Sequence, residues 1–292
     1  MLNLFSEMFV DMSVVRYLEG VFEVIKEVLL GDESFKVCSI IVFGSAARPE
    51  DFIIGVSDVD VLVLTREEPL RRHYSFVACS CEVNVVFFTV DEFRKLAECG
   101  DPLTFMLRYC VVLYDGCSRI VLKLKPKITE HTKYVLRKSI FAALGLSLES
   151  YYVLEDFVKA LSHLCHSLRH LIRYKASFDG KFPVSDKEIR EYCYGHLKNL
   201  YIKLSNLRRS KVEENDLRTA INEVVKLIGE ELNLKVTCLE DLEDKVKGNV
   251  NLITVGELNN YIVFRVEAFE NGKRKIIEIK DGKVREVSHI FF

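Results

Sequence analysis

Ile40-Ile-Val-Phe-Gly-Ser-Ala-Ala-Arg-Pro-Glu-Asp-Phe-Ile-Ile-Gly-Val-Ser-Asp-Val-Asp-Val-Leu-Val-Leu64 is the stretch from which the rest of the chain can be read. Four apolar residues break at Gly44-Ser45, the pattern of a buried strand running into a turn. A short helical turn and a loop follow, and a second apolar strand opens with Asp58-Val59-Asp60. Side chains alternate across a strand, so both carboxylates leave the same face. Two like charges that close are costly unless a cation sits between them. Paired carboxylates suit Mg2+, with Mn2+ as the alternative; such an ion keeps its waters and takes further oxygens from a substrate phosphate. Gly44 lets backbone approach a phosphate, and Ser45 adds a hydroxyl and an N–H at the start of a helical turn. A phosphate cradle beside a carboxylate pair is the minimum equipment for metal-assisted nucleotidyl transfer. The alternative is a strand–turn–strand whose aspartates only face water.

Gly44-Ser45, twelve intervening residues, then Asp58-Val59-Asp60 followed by Val-Leu-Val resembles the signature of the DNA polymerase beta-like nucleotidyltransferase superfamily. The likeness is strongest to its minimal and kanamycin-type members, which Ala47-Arg48 and Gly55-x-Ser57 also match, and it covers roughly residues 36–116. The resemblance implies a mixed sheet with flanking helices. It also implies an Mg2+-dependent reaction that moves a nucleoside monophosphate from a triphosphate, ATP by expectation, onto a hydroxyl with release of pyrophosphate. Asp58 and Asp60 would then be catalytic and metal-binding, and Gly44, Ser45, Arg48 and Ser57 nucleotide-binding.

The third strand, 79–89, departs from that pattern. A third carboxylate is expected where Val83-Asn84-Val85-Val86 places Asn84. Glu82, two residues earlier, shares the face of Asn84. Either Glu82 reaches the metal as third ligand and catalytic acid, with Asn84 touching nucleotide, or the chain lacks that ligand. An amide cannot take a proton at neutral pH. Its presence leaves open a slow or inactive nucleotide-binding or interaction module of toxin–antitoxin-like type.

Working outward, 12–30 is expected to be a helix stopped by Gly31, and 66–78 a charged loop carrying Arg71-Arg72-His73. A helix is expected from Val90 to Gly100, a short one after Asp101-Pro102, and a strand ending at Asp115-Gly116. Residues 1–125 form the expected first domain, with Lys125-Pro126-Lys127 as a linker. Long amphipathic helices follow in 126–247, expected as a bundle. Leu154, Phe157, Leu161, Leu164, Leu168 and Ile172 share one face there, and His163, His166 and His170 lie opposite, solvated or lining a cleft. One straight helix cannot wrap three ligands spread over about 10 Å around one ion. This region resembles HEPN-type and kanamycin-nucleotidyltransferase helical domains, through Leu168-Arg-His-Leu-Ile-Arg173 and Phe182-Pro183. Arg173 is the expected phosphate contact. Arg190 to His196 fits the spacing of HEPN ribonucleases but has Glu191 after the arginine. Glu240 to Lys247 is expected as a solvated connector. Residues 248–292 are expected as a small antiparallel β-meander with turns at Asn271-Gly272 and Asp281-Gly282, docked through Ile290-Phe-Phe292 or making a homodimer contact. The fold class is α+β.

With 292 residues, two cores are expected. A net charge of −2 gives no general grip on nucleic acid. The acceptor is therefore open between a small molecule, a protein hydroxyl and an RNA end. Nine cysteines without a C-x-x-C pair are expected as reduced, buried thiols of a cytoplasmic protein. No apolar run is long enough to span a membrane. The absence of Gln beside abundant Lys, Arg and Glu hints at a thermophile.

Overall fold

The helix α1 (Met12–Gly31) places Leu18, Val21, Ile25 and Leu29 on one face, and all four are buried. In the computed structural model, which describes residues 12–116, 125–246, 250–270 and 273–292, they cover one side of a five-stranded sheet. Its strands are β1 (Val37–Phe43), β2 (Val59–Thr65), β3 (His73–Ala78), β4 (Cys81–Thr89) and β5 (Val111–Asp115), in the order β3-β4-β2-β1-β5. β2 and β4 run parallel, whereas the other neighbours are antiparallel. Alternation sorts the side chains into two cores. Ile40, Val42, Val61 and Val63 pack with α1, while Ile41, Phe43, Leu62 and Leu64 pack with Leu107 and with Phe93 of α2 (Val90–Cys99). A capping box fixes the start of α2: the Thr89 hydroxyl accepts the Glu92 N–H, and the Glu92 carboxylate accepts the Thr89 N–H. Asp101 caps α3 (Pro102–Met106) singly, its carboxylate accepting the Leu103 N–H.

The loop expected over 66–78 is corrected in its second half, which is β3. Cys79 and Ser80, at φ of 50° and 66°, close a two-residue hairpin to β4. Such turns normally announce themselves through Gly or Asn, and neither is present.

The chain groups into two compact units, Met1–Thr132 with Phe182–Glu188, and Lys133–Lys181 with Ile189–Phe292. The short segment Phe182–Glu188 therefore belongs to the first unit. Phe182 stacks on Phe105 with ring centroids 4.6 Å apart. Glu188 accepts hydrogen bonds from Arg108 Nη2 at 2.6 Å and from the Tyr109 hydroxyl at 2.9 Å. The Asp186 N–H donates to Asp51 at 3.1 Å.

The second unit is built on α4 (Glu130–Tyr152) from Lys133 onward, α5 (Phe157–Phe178), α6 (Asp186–Tyr192) from Ile189 onward, α7 (Gly195–Leu207), α8 (Glu214–Leu232) and α9 (Leu239–Val246). With them goes an antiparallel run of β7 (Val250–Leu258), β8 (Tyr261–Glu270), β9 (Lys273–Lys280) and β10 (Lys283–Glu286), with β6 (Lys235–Val236) parallel to the start of β8. One core joins helices and strands, since Leu144, Leu164, Leu168 and Ile228 share it with Ile253, Phe264 and Ile279. The α+β class is as expected.

Four local expectations are corrected. Leu154 lies outside α5 and is exposed, because Asp156 caps the helix and starts it at Phe157. His166 and His170 are half-buried rather than fully solvated. Burial, then the Arg173 and Arg169 charges, drives His170 down to about 3, and burial holds His166 well below the usual range. Residues 239–246 form α9, which buries Leu239 and Leu242 and is no mere connector. Cys38 is disulfide-bonded, whereas the seven other described cysteines are free thiols, of which Cys79 and Cys238 are exposed rather than buried. The turn at Asp281-Gly282 has both residues at positive φ, while Asn271-Gly272 lies outside the described residues. Ile290 is buried, and Phe291 is exposed. Among the described residues no helix is long and apolar enough to cross a membrane.

Candidate functional site

The carboxylate pair stands where the second apolar face of the sheet stops. Asp60 precedes Leu62 and Leu64 on that face, and Phe43, the last residue of β1, pairs with it. The chain then turns at Gly44, which opens a short helical turn, Gly44–Ala47, at φ +72°. A Cβ placed on Gly44 would lie 2.5 Å from Asp60 Oδ2, so the carboxylate rests directly against the glycine backbone. Gly44 is thus required twice, by its left-handed backbone and by the neighbour that occupies its side-chain space.

Asp58 lies two residues before Asp60, just outside β2. Burial, and after it the Asp58 charge, pushes the Asp60 carboxyl up to about 8, while Arg48 pulls it the other way. The pair therefore lacks positive charge. An all-oxygen set in that condition fits a hard divalent ion such as Mg2+ or Mn2+. Among the described residues no group of three His, Cys, Asp or Glu side chains is gathered to hold a metal ion. The remaining ligands of an ion at Asp58 and Asp60 would be water and substrate oxygens.

Asn84 is level with Asp60 across the parallel β2–β4 pair. Its amide Nδ2 donates to Asp58 Oδ2 at 3.1 Å, and its Oδ1 accepts from the Ser75 hydroxyl at 2.9 Å. Ser75, on the strand that the sequence hid, thereby fixes which way the amide points. Glu82 is exposed on the same strand.

Arg48 is 6 % exposed and donates from Nε to Asp51 Oδ2 at 2.6 Å. Its Nη1 is buried with no hydrogen-bond partner, and its guanidinium carbon lies 6.0 Å from the centre of the Tyr109 ring. Asp51 was not foreseen, although Arg48-Pro-Glu-Asp51 carries the three-residue spacing of a helical-turn ion pair. Ser57 is buried, and its hydroxyl accepts the Ile53 N–H at 3.0 Å, so it shapes the loop that delivers Asp58. Ser45 is half-buried in the Gly44–Ala47 turn.

The structure thus brings Gly44, Arg48, Asp58, Asp60 and Asn84 together in the first unit. Arg173 belongs to α5 of the second unit, where it is buried beside His170. Arg190 and His196 lie on α6 and α7 of that unit.

No protein-family model matches the chain, and no curated protein does. Among solved structures, it is similar to a nucleotidyltransferase-like protein from Exiguobacterium sibiricum, at 14% identity and a TM-score of 0.33. The likeness covers 87% of this chain and 99% of that one.

Proposed function

We propose that this chain is a divalent-metal-dependent nucleotidyltransferase that moves a nucleoside monophosphate from a triphosphate, ATP first among them, to a hydroxyl acceptor. The observation that carries this reading is the Asp60 carboxylate seated against Gly44, with the Asp58 charge close enough to raise it. Asp58 and Asp60 would hold the ion, which when bound supplies positive charge to the triphosphate and to the departing pyrophosphate. Gly44 and Ser45 take the β- and γ-phosphates through backbone N–H groups and the hydroxyl. Arg48 supports Asp60 electrostatically and keeps its unpaired Nη1 amino group for an anionic oxygen. The acceptor oxygen forms its bond to the α-phosphorus as the bond to the β-phosphate oxygen breaks. The hydroxyl proton goes to a carboxylate of the pair or to water, because Asn84 cannot accept it. A small molecule, a protein hydroxyl and an RNA end remain the acceptor classes.

One observation favours a second reading, a nucleotide-binding module that does not turn over. Asn84 is held between Ser75 and Asp58, where a third acid would otherwise hold metal and take the proton. Calorimetric titration with Mg–ATP, followed by a pyrophosphate-release assay over mixed acceptors, separates the two. Asp58→Ala and Asp60→Ala should each abolish Mg-dependent nucleotide binding, and unaltered binding in both variants would sink the reading. Binding without pyrophosphate release for every acceptor class would favour the module.

A further inference from the structure

The second unit holds a cavity that nucleotidyl transfer does not use. It lies between α4 and β7 and has a volume of about 370 Å3, within the range of small-molecule pockets. At Gly145 the helix comes so close to β7 that a Cβ would lie 3.2 Å from the Val255 nitrogen. Beside that contact Phe141, Ala142, Leu146, Leu252 and Ile253 form the walls, and Phe292 closes one side under the Arg265 guanidinium, 4.0 Å from its ring centre.

The two ends differ in charge. The groove follows α4 from Lys138 to Glu149, a run of about 16 Å along the helix axis. At the Lys138 end the carboxylate of Glu257 is already engaged, accepting from Arg137 Nε at 2.8 Å. Lys138 is exposed and makes no hydrogen bond or ion pair among the described residues. At the far end Glu149 is half-buried, and burial raises its carboxyl above the usual range. One end thus presents an unspent ammonium, and the other a half-buried carboxyl.

We propose that this cavity is a binding site for a small amphiphile with an anionic head, its chain along Phe141, Ala142, Gly145 and Leu146 and its head at Lys138. Apolar walls with one oriented charge are what such a ligand requires. A neutral chain would fit the walls equally but leave Lys138 unused.

Calorimetry on the intact chain, with dodecanoate and dodecanol below their aggregation limits, tests the idea. Saturable binding at one site is expected, tighter for the acid. Ala142→Trp, which fills the groove from an exposed helical position, should weaken both probes at least ten-fold. Lys138→Met should weaken dodecanoate alone, by about three-fold, the modest effect of a charge at an exposed rim. Leu252→Trp blocks the opposite wall and serves if circular dichroism shows the first tryptophan variant misfolded. No saturable binding to the unaltered chain, or equal binding by folded variants with either tryptophan, would overturn the site. Equal affinity for acid and alcohol, unmoved by Lys138→Met, would overturn the anionic head.

Discussion

Alanine at Gly44 is the sharpest probe of the site, because Gly55 provides a matched control. Both glycines sit in the left-handed region, at φ +72° and +79°. Placing an L side chain there costs about 1–2 kcal/mol at either position. Their surroundings differ. A Cβ at Gly55 meets nothing within 4 Å, whereas at Gly44 it lies 2.5 Å from Asp60 Oδ2. Ordinary contact needs about 3.5 Å or more, so the Asp60 carboxylate must retreat by about 1 Å. A displacement of that size at a reacting centre costs on the order of 100-fold. Urea denaturation should therefore find both variants destabilised, Gly44→Ala more than Gly55→Ala because it carries the collision as well as the backbone cost. Mg–ATP titration should find affinity, or turnover where measurable, lost on the order of 100-fold in Gly44→Ala and nearly unchanged in Gly55→Ala. The reasoning is refuted if Gly44→Ala binds Mg–ATP within a few-fold of the unaltered chain, or if both variants lose binding alike.

Two further outcomes are expected. Asn84→Asp removes the amide that bonds Asp58 and adds a third negative charge, so the metal-free protein should lose about 1–2 kcal/mol. Its melting temperature should then respond to Mn2+ more than that of the parent, and an equal response in the two proteins would count against a metal site here. Acid should weaken the second unit through His170, whose folded form titrates near 3 while the unfolded side chain titrates near its ordinary value. The unfolded chain binds the extra proton between about 6.5 and 3, so stability falls through that window as pH drops, by up to about 1.4 kcal/mol per pH unit. His170→Leu should flatten the profile in urea melts at pH 7 and 5, and an unchanged slope would contradict the burial argument.

The first sheet was legible because its signals are local. Apolar β1 and β2 announce themselves by composition, and Asp58-Val59-Asp60 by alternation. What escaped lies in pairings of higher sequence separation. β3 was hidden because its turn uses Cys79 and Ser80 at positive φ, a conformation these residues rarely adopt. With β3 went Ser75, and so the hydrogen bond that orients Asn84. How far the α5 histidines are covered was not legible, because periodicity gives the faces of a helix but not which faces other helices cover. Arg48 was found by motif, but its partner Asp51 takes a second hydrogen bond from Asp186, 135 residues further on, which no local pattern records.

That long-range bond has a practical consequence for dissecting the molecule. Every candidate site residue of the first unit lies before Thr132, so a fragment cut there looks self-sufficient on paper. It would lack Phe182–Glu188, and with that segment the stacking partner of Phe105, the carboxylate shared by Arg108 and Tyr109, and the N–H that steadies Asp51. The guanidinium at position 48 would then rest on a partner anchored from one side only. The first unit and the helical unit are stitched together by the path of the chain itself, and excising the one means unpicking the other.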